Sequence, residues 1–338
     1  MRTPILLDVD TGIDDAMAIM LAIAHPGLEV RAITCVDGNT TLDGVVANTL
    51  RVLDLMDAPR IPVAAGAHRP LLEPSRDAAH VHGSDGLGDL GFPPSTRPVE
   101  TIHAVELMRR TLEEAERPLT LVALAPLTNL ALLLRMYPHV TEQIERVVCM
   151  AGSAGIGNAT AVAEFNVWHD PEAAQIVLDS GLPILMYGLD VFDAVDVAEE
   201  TVDALRETET PIAQALAGFL GHRMLIPDAD GHAVDGGAAD GIEEAPPVPH
   251  RPRIGDAGAV AALIAPDLME IRRYPVQVQT VGIGRGQTIV DRRRLLGEDL
   301  AHGIADPWPL VDVVLDADVE AVIHLFLETL GCDEAFRG

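Results

Sequence analysis

No lysine occurs anywhere in the 338 residues; every one of the 23 basic residues is an arginine. Schiff-base chemistry and the phosphate-gripping lysine of a P-loop are thereby excluded. Cysteine is nearly as scarce. Cys35, Cys149 and Cys332 are too few and too scattered for a disulfide framework or a zinc site, and small buried thiols are expected instead. Long apolar runs are missing too: the stretch from Leu119 to Leu134 is broken by Pro126, Thr128 and Asn129 and is too short to span a bilayer. Positive charge is outnumbered, 23 bases against 52 acids, for a net charge of −29. Such a field repels nucleic acid and anionic membranes, so neither is an expected partner. Met1-Arg2-Thr3-Pro4 precedes the first strand without a hydrophobic export segment, and a cytoplasmic, soluble protein is expected.

What is present is an α/β rhythm. Hydrophobic content of 48% and a charged fraction of 22% suit a globular chain with a large core. Short apolar runs predict strands at Ile5–Val9, Glu29–Cys35, Ile61–Ala65, Leu119–Ala125, Arg146–Ala151 and Ile184–Tyr187, with later ones at Val276–Gly282 and Val311–Leu315. Between them Ile13, Met17, Leu21 and Ala24 keep helical spacing, as do Val45, Leu50 and Leu53. Asp170-Pro171 has the acid N-cap and first-turn proline of a helix start. The expected fold is an open, mostly parallel, Rossmann-like sheet flanked by helices. One domain over 1–338 is expected, with loop-like segments at Gly66–Pro98 and Gly221–Gly255, the latter a lid.

The densest feature is Asp8-Val9-Asp10-Thr11-Gly12-Ile13-Asp14-Asp15, four carboxylates where the first strand hands over to a helix. Asp8 and Asp10 project to one side of an extended chain, and Gly12 offers the backbone freedom of a tight turn. Carboxylates this close repel unless a cation or raised pKa values relieve them. A hard divalent ion with oxygen ligands is the expected relief.

Ligands of open α/β sheets gather beyond the carboxyl ends of the strands. The remaining polar signals fall there: Asp37-Gly38-Asn39, Pro126-Leu127-Thr128-Asn129, the run Gly152 to Asn158, then Glu164-Phe165-Asn166, and Asp256 ahead of the apolar stretch Ala259–Ile264. Each is weak by itself, since an isolated asparagine after a strand is commonly a turn residue. Together they suit a cation plus a hydroxyl-rich ligand such as a sugar.

With these segments the chain resembles the nucleoside N-ribohydrolases of the inosine–uridine-preferring type, from about Ile5 to Leu330. The resemblance is carried by the acidic turn, Asp37-Gly38-Asn39, His82-Gly83-Ser84-Asp85-Gly86-Leu87-Gly88, Pro126-Leu127-Thr128-Asn129, Asn158 with Ala163-Glu164-Phe165-Asn166, and Asp170-Pro171-Glu172-Ala173-Ala174. It implies that Asp10, Asp15, the main-chain carbonyl of Thr128 and Asp256 hold a Ca²⁺, with Asp10 the general base. It also implies that Asp14, Asn39, Asn158, Glu164 and Asn166 bind the ribose, with Asp8 as support behind them. A ribonucleoside would be cleaved to ribose and free base by a homodimer or homotetramer. Oxocarbenium-like charge on the sugar explains the anionic oxygens around it.

One departure stands out. Many relatives carry His-Asp where this chain reads Gly255-Asp256, so the histidine proposed to protonate the departing base is missing. His82 is retained, and His222, His232 and His250 lie in or beside the lid. Between Gly221 and Gly255 there is no tyrosine or tryptophan to stack on a base. Replacement of the turn's usual proline by Thr11 is a milder departure. Two alternatives compete. A haloacid-dehalogenase-like phosphatase also opens on Asp-x-Asp, but leaves Asp14-Asp15 unexplained. A riboside- and Ca²⁺-binding protein of the same fold that no longer turns over is the other. Gly152-x-x-Gly155-x-Gly157 does not fit a dinucleotide fingerprint.

Overall fold

The computed structural model describes residues 2–223, 251–295, 297–303 and 307–336. Its frame is a nine-stranded sheet: β1 (Thr3–Val9), β2 (Leu28–Cys35), β3 (Val63–Ala65), β4 (Leu119–Ala123), β5 (Ile144–Met150), β6 (Ile184–Tyr187), β7 (Met269–Val278), β8 (Thr288–Val290) and β9 (Leu310–Ala317). The order is β3-β2-β1-β4-β5-β6-β9-β7-β8. All neighbours from β3 to β9 run parallel, whereas β7 is antiparallel to both β9 and β8. This is the expected open, mostly parallel α/β sheet.

Alternation along the strands splits the core in two. Ile5, Leu7 and Val9 of β1 join one buried cluster, while Leu6 joins Ala32, Leu121 and Val147 on the opposite face. Strands buried on both faces read as continuous apolar runs, which is why the central ones were visible in the sequence. The helix Ile13–Ala24 is buried from Ile13 through Ala22 and has no basic residue in its last turn. It packs against the helix Ala257–Ile264, bringing Asp256 toward the acidic turn.

The late strands differ from expectation. The apolar pattern predicts Val276–Gly282, but the strand is Met269–Val278, and nothing in the pattern predicts β8. Arg272, Arg273 and Glu270 make β7 half-exposed, so it lacks the unbroken apolar run that betrays a central strand. Residues 279–287, which include the end of the expected strand, form the turn between β7 and β8. Of the expected lid at 221–255, residues 224–250 lie outside the described residues, His232 and His250 among them. Among the described residues no helix is long and apolar enough to cross a membrane.

Between β1 and β4 the sheet changes winding direction: β2 and β3 lie to one side, β4 to β6 to the other. Connections diverge at such a point and leave a crevice beyond the strand ends. The Leu124 N–H donates to the Asp8 carbonyl at 2.9 Å, keeping the two strands together up to its floor.

Candidate active site

The acidic turn forms that floor, but its four carboxylates do not converge. Asp8 points back into the sheet, where its Oδ1 accepts from Thr34 Oγ1 at 2.7 Å and Asn129 Nδ2 at 2.8 Å. Asp15 closes the turn: it accepts from the main-chain N–H groups of Asp10 (3.2 Å) and Gly12 (3.1 Å) and from Asn39 Nδ2 (3.1 Å). Asp10 Oδ2 accepts from the Asn39 N–H at 2.8 Å, while its Oδ1 is buried with no hydrogen-bond partner. Asp14 faces the cavity above. Among the described residues no three His, Cys, Asp or Glu side chains already form a metal cage. The expected cluster is thus spread over several directions, because successive turn residues splay and backbone amides claim Asp15.

Burial dominates the electrostatics. Desolvation pushes Asp8 and Asp15 up to about 7, and raises Asp10 well above the carboxylate range with the Asp15 charge adding to it. Hydrogen bonds from Asn129 and Thr34 restrain Asp8, and the Gly12 amide restrains Asp15. The hard, anionic donor set and the orphaned Asp10 oxygen fit a divalent cation, which would remove the cost of burying these charges.

Gly12 serves a different purpose from the one expected. Its backbone is extended, at φ −98°, and needs no special freedom. A Cβ there would instead lie 2.7 Å from His82 Nδ1 and 2.9 Å from Asn39 Nδ2. Glycine lets His82 settle onto the turn, where its Nδ1 accepts from the Ile13 N–H at 3.2 Å. An accepting Nδ1 places the proton of the neutral ring on Nε2.

A cavity of about 390 Å³ opens above the floor. Of the expected residues, Asp14, Asn39, His82, Asn158, Glu164, Asn166 and Asp256 line it, while Asp10, Asp15 and Thr128 are buried beneath. Asn166 Nδ2 is anchored on the carbonyls of Leu124 (2.9 Å) and Met150 (3.1 Å). Glu164 caps the short helix Phe165–His169, accepting from the N–H groups of Asn166, Val167 and Gly152, yet burial still raises it to about 7. Asn158 Oδ1 accepts from the Phe165 N–H. Thr128 Oγ1 donates to Asp170 Oδ2 at 2.7 Å, and that oxygen also accepts from the Leu71 N–H. Asp170 Oδ1 accepts from the Ala173 N–H, confirming the helix start at Pro171. Asn129 ties the floor together, reaching Asp8, the Cys35 carbonyl and the Ala67 N–H.

Sequence reasoning missed several cavity residues: Asp77, His80, Phe165, Trp168, Phe192 and the ion-paired Asp193 and Arg253. The aromatic walls absent from the lid come from the helix Phe165–His169 and from Phe192. The only signal was Phe165's place inside the Glu164–Asn166 motif. Gly255, at φ +51°, places its backbone against Asp14: a Cβ would lie 2.6 Å from Asp14 Oδ1. His222 packs its Cβ toward Gly88 and does not line the cavity.

The model of the "Inosine-uridine preferring nucleoside hydrolase" family matches residues 5–324. The chain belongs to that family. It is an N-glycosyl hydrolase of ribonucleosides, yielding ribose and free base, and its family is one of metal-dependent enzymes. The phosphatase alternative falls with this match. Curated relatives of this nucleoside hydrolase include the pyrimidine-specific ribonucleoside hydrolase RihA of Shewanella sp. (strain MR-7), 39% identical and covering 94% of this chain and 96% of the relative. RihA of Enterobacter sp. (strain 638) is 38% identical and covers 98% of both. Among solved structures, the plant nucleoside hydrolase PpNRh1 has a TM-score of 0.84 at 27% identity, covering 98% of this chain and 99% of that one. A purine-preferring ribonucleoside hydrolase from Gardnerella vaginalis has a TM-score of 0.83 at 28% identity with the same coverage.

Proposed function

We propose that this nucleoside hydrolase cleaves pyrimidine ribonucleosides with Ca²⁺ as its cation and Asp10 as general base. The observation that carries the mechanism is the Asp10 carboxylate, fully buried under the cavity with one oxygen unengaged. Pyrimidine preference rests on the relatives at 38–39% identity, against 27–28% for the plant enzyme and the purine-preferring structure.

Asp10, Asp15, the Thr128 carbonyl and Asp256 would hold the cation. When bound, it supplies Lewis acidity that makes a water easier to deprotonate. Asp10, braced by the Asn39 N–H, takes the proton from the attacking water. Asp14, Asn39, Asn158, Glu164 and Asn166 bind the ribose hydroxyls and surround the sugar with negative or dipolar oxygen as positive charge develops on it. His82, with its proton on Nε2, donates a hydrogen bond to the base as it leaves. The protein works as one domain in the cytoplasm, as a homodimer or homotetramer, with residues 221–255 as its lid and with neither nucleic acid nor membrane as partner.

A panel of uridine, cytidine, inosine, adenosine and guanosine, assayed with Ca²⁺ and with chelator, tests this. Uridine or cytidine should turn over fastest, and chelation should stop the reaction until Ca²⁺ is restored. Faster purine release, or turnover indifferent to chelator, would overturn the corresponding part.

A further inference from the structure

We infer that Trp168, braced by Arg76, is the platform on which the nucleobase packs and is a specificity-determining residue of this enzyme. The inference rests on the ribonucleoside-hydrolase reading and extends it to the base subsite. Trp168 is half-buried and lines the cavity. The Arg76 guanidinium lies 4.7 Å from the centroid of its ring. Arg76 is not itself among the cavity-lining residues, whereas Phe165, whose ring centroid lies 6.1 Å from that of Trp168, lines the cavity with it.

The brace is itself anchored. Arg76 pairs with Glu73 at 3.1 Å, Glu73 with Arg285 at 3.5 Å, and Arg285 with Glu172 through both guanidinium nitrogens. The unforeseen β7–β8 hairpin holds the other end. A Cβ on Gly286 would lie 2.7 Å from Trp168 Cα, so the hairpin backbone seats directly against the tryptophan. The Trp168 N–H donates to the Glu164 carbonyl at 2.7 Å, which ties the platform to a residue of the ribose pocket. Since Glu73 neutralises Arg76, the guanidinium acts chiefly by fixing the ring.

The chemistry of the walls separates the two halves of a nucleoside. Carboxylates and amides at the floor suit hydroxyl groups, whereas Trp168, Phe165 and Val81 present flat or apolar surface suited to a heterocycle. Stacking on an aromatic side chain tolerates any base, and the space beside the platform then decides ring size.

The chain holds two tryptophans, Trp168 and Trp308, so the W308F enzyme reports on Trp168 alone. Its emission should be quenched by uracil or hypoxanthine and left unchanged by D-ribose at the same concentration. Replacing Trp168 by Ala should lower kcat/KM on the preferred nucleoside roughly tenfold to a hundredfold. Trp168→Phe should recover most of it, and Arg76→Gln should cost severalfold through KM. Quenching by ribose but not by base would overturn the assignment. So would the absence of quenching by either base up to tens of millimolar (on the order of the weakest useful affinity), or a W168A enzyme within twofold of wild type. An enzyme that hydrolyses no nucleoside yet is quenched by bases would sink the proposed function and leave the platform standing.

Discussion

The floor and the wall of this cavity are built on opposite plans. The floor is contiguous in sequence: eight residues from Asp8 to Asp15 supply the buried acids, held by main-chain amides and by Asn39 and Asn129. The wall is assembled from distant pieces: the segment 71–82, which ends in the helical turn Ala79–His82, the short helix at Phe165–His169, and a hairpin near residue 286, joined by partly exposed ion pairs. Chemistry that must place charge accurately sits where burial and short connections fix it. Selection among substrates falls to connecting segments whose contacts are side-chain ion pairs and ring packing rather than the buried amide bonds of the floor.

The sharpest way to break this contrast is at Asp10. Asp10→Ala should reduce kcat by about two to four orders of magnitude with the fold retained, as loss of a general base does. A rate within tenfold of wild type, with unchanged circular dichroism, would remove Asp10 from that role. Gly12→Ala comes next. The added methyl must displace His82 or Asn39, and kcat/KM should fall by about tenfold to a hundredfold, the cost of unmaking one or two buried hydrogen bonds. A crystal structure of that variant should show His82 withdrawn from the Ile13 N–H.

Glu164 sharpens the comparison through pH. Its pKa in the folded chain, about 7, exceeds the ordinary 4.5, so folding favours its protonated form. The stability it contributes is full below about 4.5 and is lost as pH rises through 7. Denaturant titrations from pH 5 to 8 should show the advantage of wild type over Glu164→Gln shrinking by roughly 1 kcal/mol per pH unit, levelling above 7. Parallel slopes would refute the raised value. The smallest effect belongs to the wall: Arg285→Ala should cost less than about 1 kcal/mol of stability, as part-exposed ion pairs do. It should leave kcat intact while KM rises severalfold. An equal fall in kcat would mean that wall and floor are not separable.

Legibility in the sequence followed the same division. The central strands announce themselves because burial on both faces demands unbroken Val, Ile and Leu, and the acidic turn because so many carboxylates are packed into one connection. Asp170 as a helix cap was readable from a dipeptide. The half-exposed strand Met269–Val278 is hard to place from sequence because its charged residues mask the period. The role of Gly12 is not legible locally, because close approach of a histidine from residue 82 leaves no trace in the neighbouring sequence. Trp168 and Arg76 were invisible as a pair, since only the folded chain brings a residue at 76 over a ring at 168.

Gly255 carries a practical lesson for redesign. Restoring the histidine that many relatives have there would not transplant a proton donor, because a left-handed backbone lies hard against the Asp14 carboxylate. Any such graft has to re-route the main chain ahead of Asp256 first.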